Sequence, residues 1–142
     1  MKSQCWLVKQ EPESYAWDDF VRDGKTAWEG VRSFAARLHL NGMQKGDRVL
    51  FYASGGPKCV VGTALVSKTA FPDATADEPG WVAVELKADR PLPRPVTLAE
   101  IKADARLKNL PLIRQSRLSV MPVSPVEFDR ILALADKTPA RT

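Results

Sequence analysis

Three strand-like runs fill the middle of the chain, and only turn-rich sequence separates them. Arg48–Ala53 (Arg-Val-Leu-Phe-Tyr-Ala) is dense in β-branched and aromatic residues. Residues 59–69 continue that character, with Gly62 placed where a bulge or a close approach is expected. Residues 81–88 alternate, with Trp81, Ala83, Glu85 and Lys87 on one side and Val82, Val84, Leu86 and Ala88 on the other, the pattern of a half-buried strand. Ser54-Gly55-Gly56-Pro57 and the polar stretch 71–80 read as the connecting loops. Shorter strands are expected at 5–9, ended by Gln10-Glu11-Pro12, and at 118–123.

Helical signals flank this sheet. Residues 17–22 carry acids in the first turn and end at Gly24. Residues 30–41 place Val31, Phe34, Ala35 and Leu38 at helical spacing, which predicts a core-facing stripe. Thr97-Leu98-Ala99-Glu100 and Ser124-Pro125-Val126-Glu127 are capping boxes, the second opening a helix through Phe128, Ile131, Leu132 and Ala135. Pro91, Pro93 and Pro95 read as a stiff connector. The expected architecture is α+β, a mixed sheet or small barrel ringed by short helices, in one domain over 1–135 with a tail from 136 to 142.

Composition narrows the function classes. No stretch of the 142 residues approaches the ~18 apolar residues of a membrane span. The first residues lack the apolar region of a signal peptide, so a cytoplasmic protein without membrane contact is expected. Cys5 and Cys59 lie in apolar strand-like runs and read as small core residues, with a single bridge between them the other reading. One histidine, His39, and no Cys-x-x-Cys pair argue against a zinc site. Asp18 and Asp19 read as helix-start acids and His39 as structural, and the 54–57 loop lacks the Lys-Ser/Thr of a phosphate loop. No cofactor is implied. The net charge of +4 favours polyanions without establishing them. Arg106, Lys108, Arg114 and Arg117 form an acid-free basic segment, either a phosphate-contacting patch or a solvated surface.

Three of the four tryptophans fall in the first 28 residues, with acidic, basic and amide side chains between them. Trp6 alternates within a strand and reads as core. Trp17 and Trp28 fit either core packing or flat faces for a base-sized ligand. Lys9 and Glu11 fit either a solvated ion pair or base-edge recognition, and Arg32 fits a phosphate or base-edge contact. Arg37 is expected to tie its helix to the body through a salt bridge.

Taken in order, Trp6-Leu7-Val8-Lys9-Gln10-Glu11-Pro12, Tyr15-Ala16-Trp17-Asp18-Asp19, Trp28-Glu29-Gly30-Val31-Arg32, Lys45-Gly46-Asp47, Phe71-Pro72-Asp73-Ala74-Thr75 and Arg117-Leu118-Ser119-Val120-Met121-Pro122-Val123 resemble the EVE domain family over nearly the whole chain. The resemblance implies a PUA-like fold, a compact mixed β-barrel surrounded by short helices. It also implies non-catalytic binding of a modified nucleobase, a modified cytosine in DNA more than in RNA, alongside other DNA-processing proteins. Matched by motif, the base pocket draws on Lys9, Gln10 and Glu11, on Trp17 and Trp28 as stacking faces, on Val31, Arg32 and Ser33, on Tyr52, Ala53 and Ser54, and on Arg117, Leu118 and Ser119. Arg106, Lys108 and Arg114 would contact phosphates. The family usually carries polar residues where Ser33-Phe34-Ala35 and Ala53 stand. Two other readings stay open: an enzyme acting on a nucleoside or other small molecule, and a protein-interaction module whose base pocket has decayed.

Overall fold

The computed structural model describes residues 4–55, 58–115 and 117–136. Residues 137–142 of the expected tail, and Gly56 and Pro57 of the glycine loop, lie outside them. The strands are β1 (Cys5–Gln10), β2 (Lys25–Trp28), β3 (Arg48–Ala53), β4 (Cys59–Pro72), β5 (Val82–Thr97) and β6 (Val120–Val123). The helices are α1 (Trp17–Asp23), α2 (Phe34–Gly42), α3 (Leu98–Ala103), α4 (Pro111–Arg114) and α5 (Pro125–Asp136). A single 3₁₀ turn spans Ala105–Leu107.

The six strands form one mixed sheet in the order β2-β5-β4-β3-β1-β6. This corrects the expectation of a barrel. The sheet is open, with β2 and β6 as its two edges, each paired on one side only. Both edge strands are four residues long, and no pairing joins them among the described residues. β1 and β3 run parallel, and a parallel pair needs a long crossover. The segment from α1 through β2 to α2 supplies it, and it also carries the residues of the candidate site.

The core is apolar and continuous. Leu7, Val8, Val49, Leu50, Phe51, Leu86, Val120 and Met121 are buried across the sheet, and Phe128 and Ile131 of α5 pack with them. Trp6 is core, as read, with its indole N–H donating to buried Asp47 at 2.9 Å. Cys5 and Cys59 are both free and buried, and burial pushes both thiols up.

Two local readings are corrected. The helix expected from residue 30 starts at Phe34, with Ser33 as its N-cap accepting the Ala36 N–H. Its buried face carries Ala36 and Leu40, whereas Phe34 and Leu38 of the expected core stripe are each 70% exposed. Two positions in a helix are about 200° apart, so a two-residue error in phase turns the helix over. The proline connector is the second half of β5. β2 pairs β5 only at Val84–Lys87, so beyond that point β5 is an edge and tolerates residues without an N–H.

Candidate functional site

The site is a cleft of about 440 Å³ lined by Lys9, Gln10, Trp28, Glu29, Gly30, Val31, Arg32, Ser33 and Ser119. Its size falls within the roughly 300–1,000 Å³ range of small-ligand sites. Three separate stretches of chain meet there. β1 delivers Lys9 and Gln10 at its C-terminal end, β2 ends at Trp28 and runs into the 29–33 loop, and Ser119 precedes β6. The Lys9 N–H donates to the Ser119 carbonyl at 2.9 Å, which fixes two of these walls together.

The loop wall is held from beneath by Asp73, whose side chain is fully buried. Its Oδ2 accepts from the Gly30 N–H at 2.8 Å and from Arg32 Nη1 at 3.0 Å. Its Oδ1 accepts from the Thr75 N–H at 2.7 Å and the Thr75 hydroxyl at 2.6 Å. Burial alone would raise this carboxyl. The bonds from Thr75, Gly30 and Arg32 outweigh burial and hold it well below the usual carboxylate range. Gly30 needs its φ of +81°, a region other residues rarely adopt. Arg32 therefore has a fixed position at the rim, with Nη2 donating to Thr75 Oγ1 at 3.1 Å.

Trp28 floors the cleft but is only 4% exposed. Its ring is committed to T-shaped contacts with Phe51 at 5.7 Å and Phe20 at 6.3 Å, so it offers a small apolar surface and no open stacking face. Trp17 lies elsewhere. It packs on Phe20 and Phe51 from α1 and lies across Gly62 of β4, where an added Cβ would overlap its ring. It lines a different groove, with Val21, Gly24, Lys25, Lys87 and Pro91. The two indoles thus share an aromatic cluster but not a ligand site.

The remaining expected residues divide. Tyr52 and Ala53 are buried in β3 and are not part of the cleft lining, with the Lys9 ammonium 5.9 Å from the Tyr52 ring. Burial, with a smaller contribution from Cys59, pushes the Tyr52 hydroxyl up, and burial draws the Lys9 ammonium down. Ser54 is tied to β1 through its N–H to the Gln10 carbonyl. Glu11 is exposed and outside the cleft. Arg117 and Leu118 line an adjoining groove with Ala35 and Gln115, and Ser33 belongs to both. Arg106 and Lys108 are exposed in and after the 3₁₀ turn, away from the cleft lining. Arg114 turns back on its own segment, donating to the Lys108 carbonyl and Asn109 Oδ1.

Sequence reasoning missed Glu29 and Gly30 as wall residues and Asp73 as their anchor. Gly30 and Asp73 each stand inside a quoted motif, but nothing in the spacing pairs positions 43 residues apart. Arg37 also departs from expectation. It makes no ion pair among the described residues and instead lies over the rings of Phe34 and Trp81. Among the described residues, no group of three His, Cys, Asp or Glu side chains is arranged to hold a metal.

Residues 4–134 match the EVE domain model. Human thymocyte nuclear protein 1 is 31% identical over 97% of this chain and 76% of its own length. A solved protein of Rhodopseudomonas palustris is 42% identical, covering 93% of this chain and 92% of that one, with a TM-score of 0.88. Human THYN1, solved in complex with 5-methylcytosine containing DNA, is 31% identical with a TM-score of 0.91, covering 96% of this chain and 100% of that one. On this evidence the chain belongs to the EVE domain family.

Proposed function

We propose that this protein is a non-catalytic reader of 5-methylcytosine in DNA, and that the base enters the cleft between Lys9, Ser119 and the 29–33 loop. The observation that carries the reading is the convergence of three chain segments on one cleft of about 440 Å³, roomy enough for a base, in a fold shared with a protein solved on 5-methylcytosine containing DNA. A base inside a duplex cannot reach such a cleft, so the nucleotide is extruded from the stack. Trp28 supplies an apolar floor for the ring and its methyl group. Lys9, Gln10 and Ser119 offer hydrogen-bonding groups at the base edge. Arg32, half-exposed at the rim, faces the phosphates. The two buried cysteines, with thiols pushed up by burial, have the character of core residues and not of nucleophiles. A domain of this kind marks a site, and other DNA-processing proteins act on it.

The test is a titration of matched duplexes that differ by one methyl group. Tighter binding of the methylated duplex is expected, with the difference lost in Ser119→Tyr, which fills the cleft. Equal affinity for the two duplexes sinks the reading.

A further inference from the structure

We propose that Phe34, Trp81 and Arg37 form a second DNA contact beside the cleft, a platform against which the base next to the extruded nucleotide rests. The proposal builds on the modified-base reading above.

It starts from the inverted helix. α2 buries Ala36 and Leu40 and leaves the larger Phe34 and Leu38, one turn apart, 70% exposed. Among the described residues Phe34 is the one strongly exposed aromatic side chain. Its ring is nonetheless fixed in place. It stacks on Trp81 with centroids 5.4 Å apart and planes 26° from parallel. The Arg37 guanidinium lies 4.9 Å from the Phe34 ring and 4.8 Å from the Trp81 ring, anchored by a 3.2 Å bond from Nη1 to the Gly80 carbonyl. Arg32 sits 5.7 Å from the same Trp81 ring. No carboxylate neutralises Arg37 among the described residues.

The cluster is continuous with the cleft, because Ser33 both lines the cleft and caps the helix whose first residue is Phe34. Its chemistry matches a nucleotide strand. An exposed ring stacks on any base, and an unneutralised guanidinium on an aromatic support presents donors to phosphate. Extrusion of one base leaves its neighbour's face bare, and a ring at the cleft rim is placed to cover it. A protein partner would explain the apolar surface, but not the Arg37 guanidinium held against it without a carboxylate among the described residues.

The experiment measures binding of methylated and unmodified duplexes by fluorescence anisotropy over a range of salt concentrations. Phe34→Ala, at a position already in water, is expected to weaken the methylated duplex about tenfold, with Phe34→Tyr restoring most of the loss. Arg37→Gln is expected to flatten the slope of log affinity against log salt by about 0.9. If Phe34→Ala and Arg37→Gln keep wild-type affinity and salt slope while circular dichroism shows them folded, the platform is overturned, whatever else docks on that face. If the wild type shows no preference for the methylated duplex but Phe34→Ala still weakens both, the cleft reading fails and the platform stands as a DNA contact.

Discussion

Trp17 and Trp28 stand eleven positions apart, pack on the same two phenylalanines, and have different roles. Trp17 closes a contact. Its ring occupies the space that a side chain at position 62 would take, and its groove is lined by the opposed charges of Asp23, Asp89, Lys25 and Lys87. Trp28 opens one. Its ring ends a strand, and the chain beyond it swings out as a loop fastened to Asp73, leaving space between that loop and β1. The role of each indole is set by what faces it, and the ring itself does not decide it.

The sharpest way to break this comparison is at Gly62. If Trp17 is packing, Gly62→Ala should lower stability by about 3 kcal/mol in urea titration, the upper range for an overpacked core. Pairing it with Trp17→Leu should recover part of the loss. Preference for the methylated duplex should survive in whatever protein remains folded. A loss of preference with unchanged stability would move Trp17 into the ligand site.

The next effect belongs to the cleft. Asp73→Asn keeps the shape but weakens the bonds to Gly30, Thr75 and Arg32, at a cost of about 2 kcal/mol. Unlike Gly62→Ala, it should also reduce the preference for the methylated base, because the 29–33 loop loses its anchor. If stability falls and preference does not, the loop is not the reading wall.

The same carboxylate sets a pH dependence. Its folded pKa is depressed below the ordinary 3.8, so its contribution is fully present above that value and is lost as pH falls toward the folded one. The stability gap between the wild type and Asp73→Asn should therefore be constant from pH 8 to pH 5 and shrink as pH drops below 3.8. Urea midpoints at a series of pH values read this directly. A gap that closes already near neutrality would mean Asp73 is not held ionised by these partners.

What the sequence made visible follows the range of each signal. Strand β3 and both capping boxes appear where expected, because their determinants lie within six residues of each other. Gly62 also stands out, since a glycine in a strand asks for a neighbour, although which ring it receives is a tertiary matter. Sheet closure is not a local property. It depends on whether the edges β2 and β6 come together across the molecule, which no run of residues within one strand records. The buried face of α2 is set by tertiary packing, which seats Ala36 and Leu40 two positions beyond the expected Phe34 and Leu38, while the Ser33 cap marks its start four residues beyond the expected one. Of the residues proposed for the site, Lys9, Gln10, Trp28, Val31, Arg32, Ser33 and Ser119 line one cleft. Trp17 does not, because an aromatic motif carries no record of which groove its ring will line.

Glu11 provides the smallest and most discriminating test. Its neighbours Lys9 and Gln10 line the cleft, but Glu11 follows the end of β1, is exposed, and lies outside the lining. Its backbone carbonyl accepts from Ser14 and Tyr15 N–H groups, so the main chain there is fixed by a turn and not by the side chain. A carboxylate in water near a polyanion contributes a weak repulsion that is screened within about 10 Å at ordinary salt. Glu11→Gln should therefore tighten methylated and unmodified duplexes alike, by less than about threefold, and leave their ratio unchanged. A drop in the ratio would show that the carboxylate reads the base edge, and would extend the cleft past the end of β1 toward Pro12.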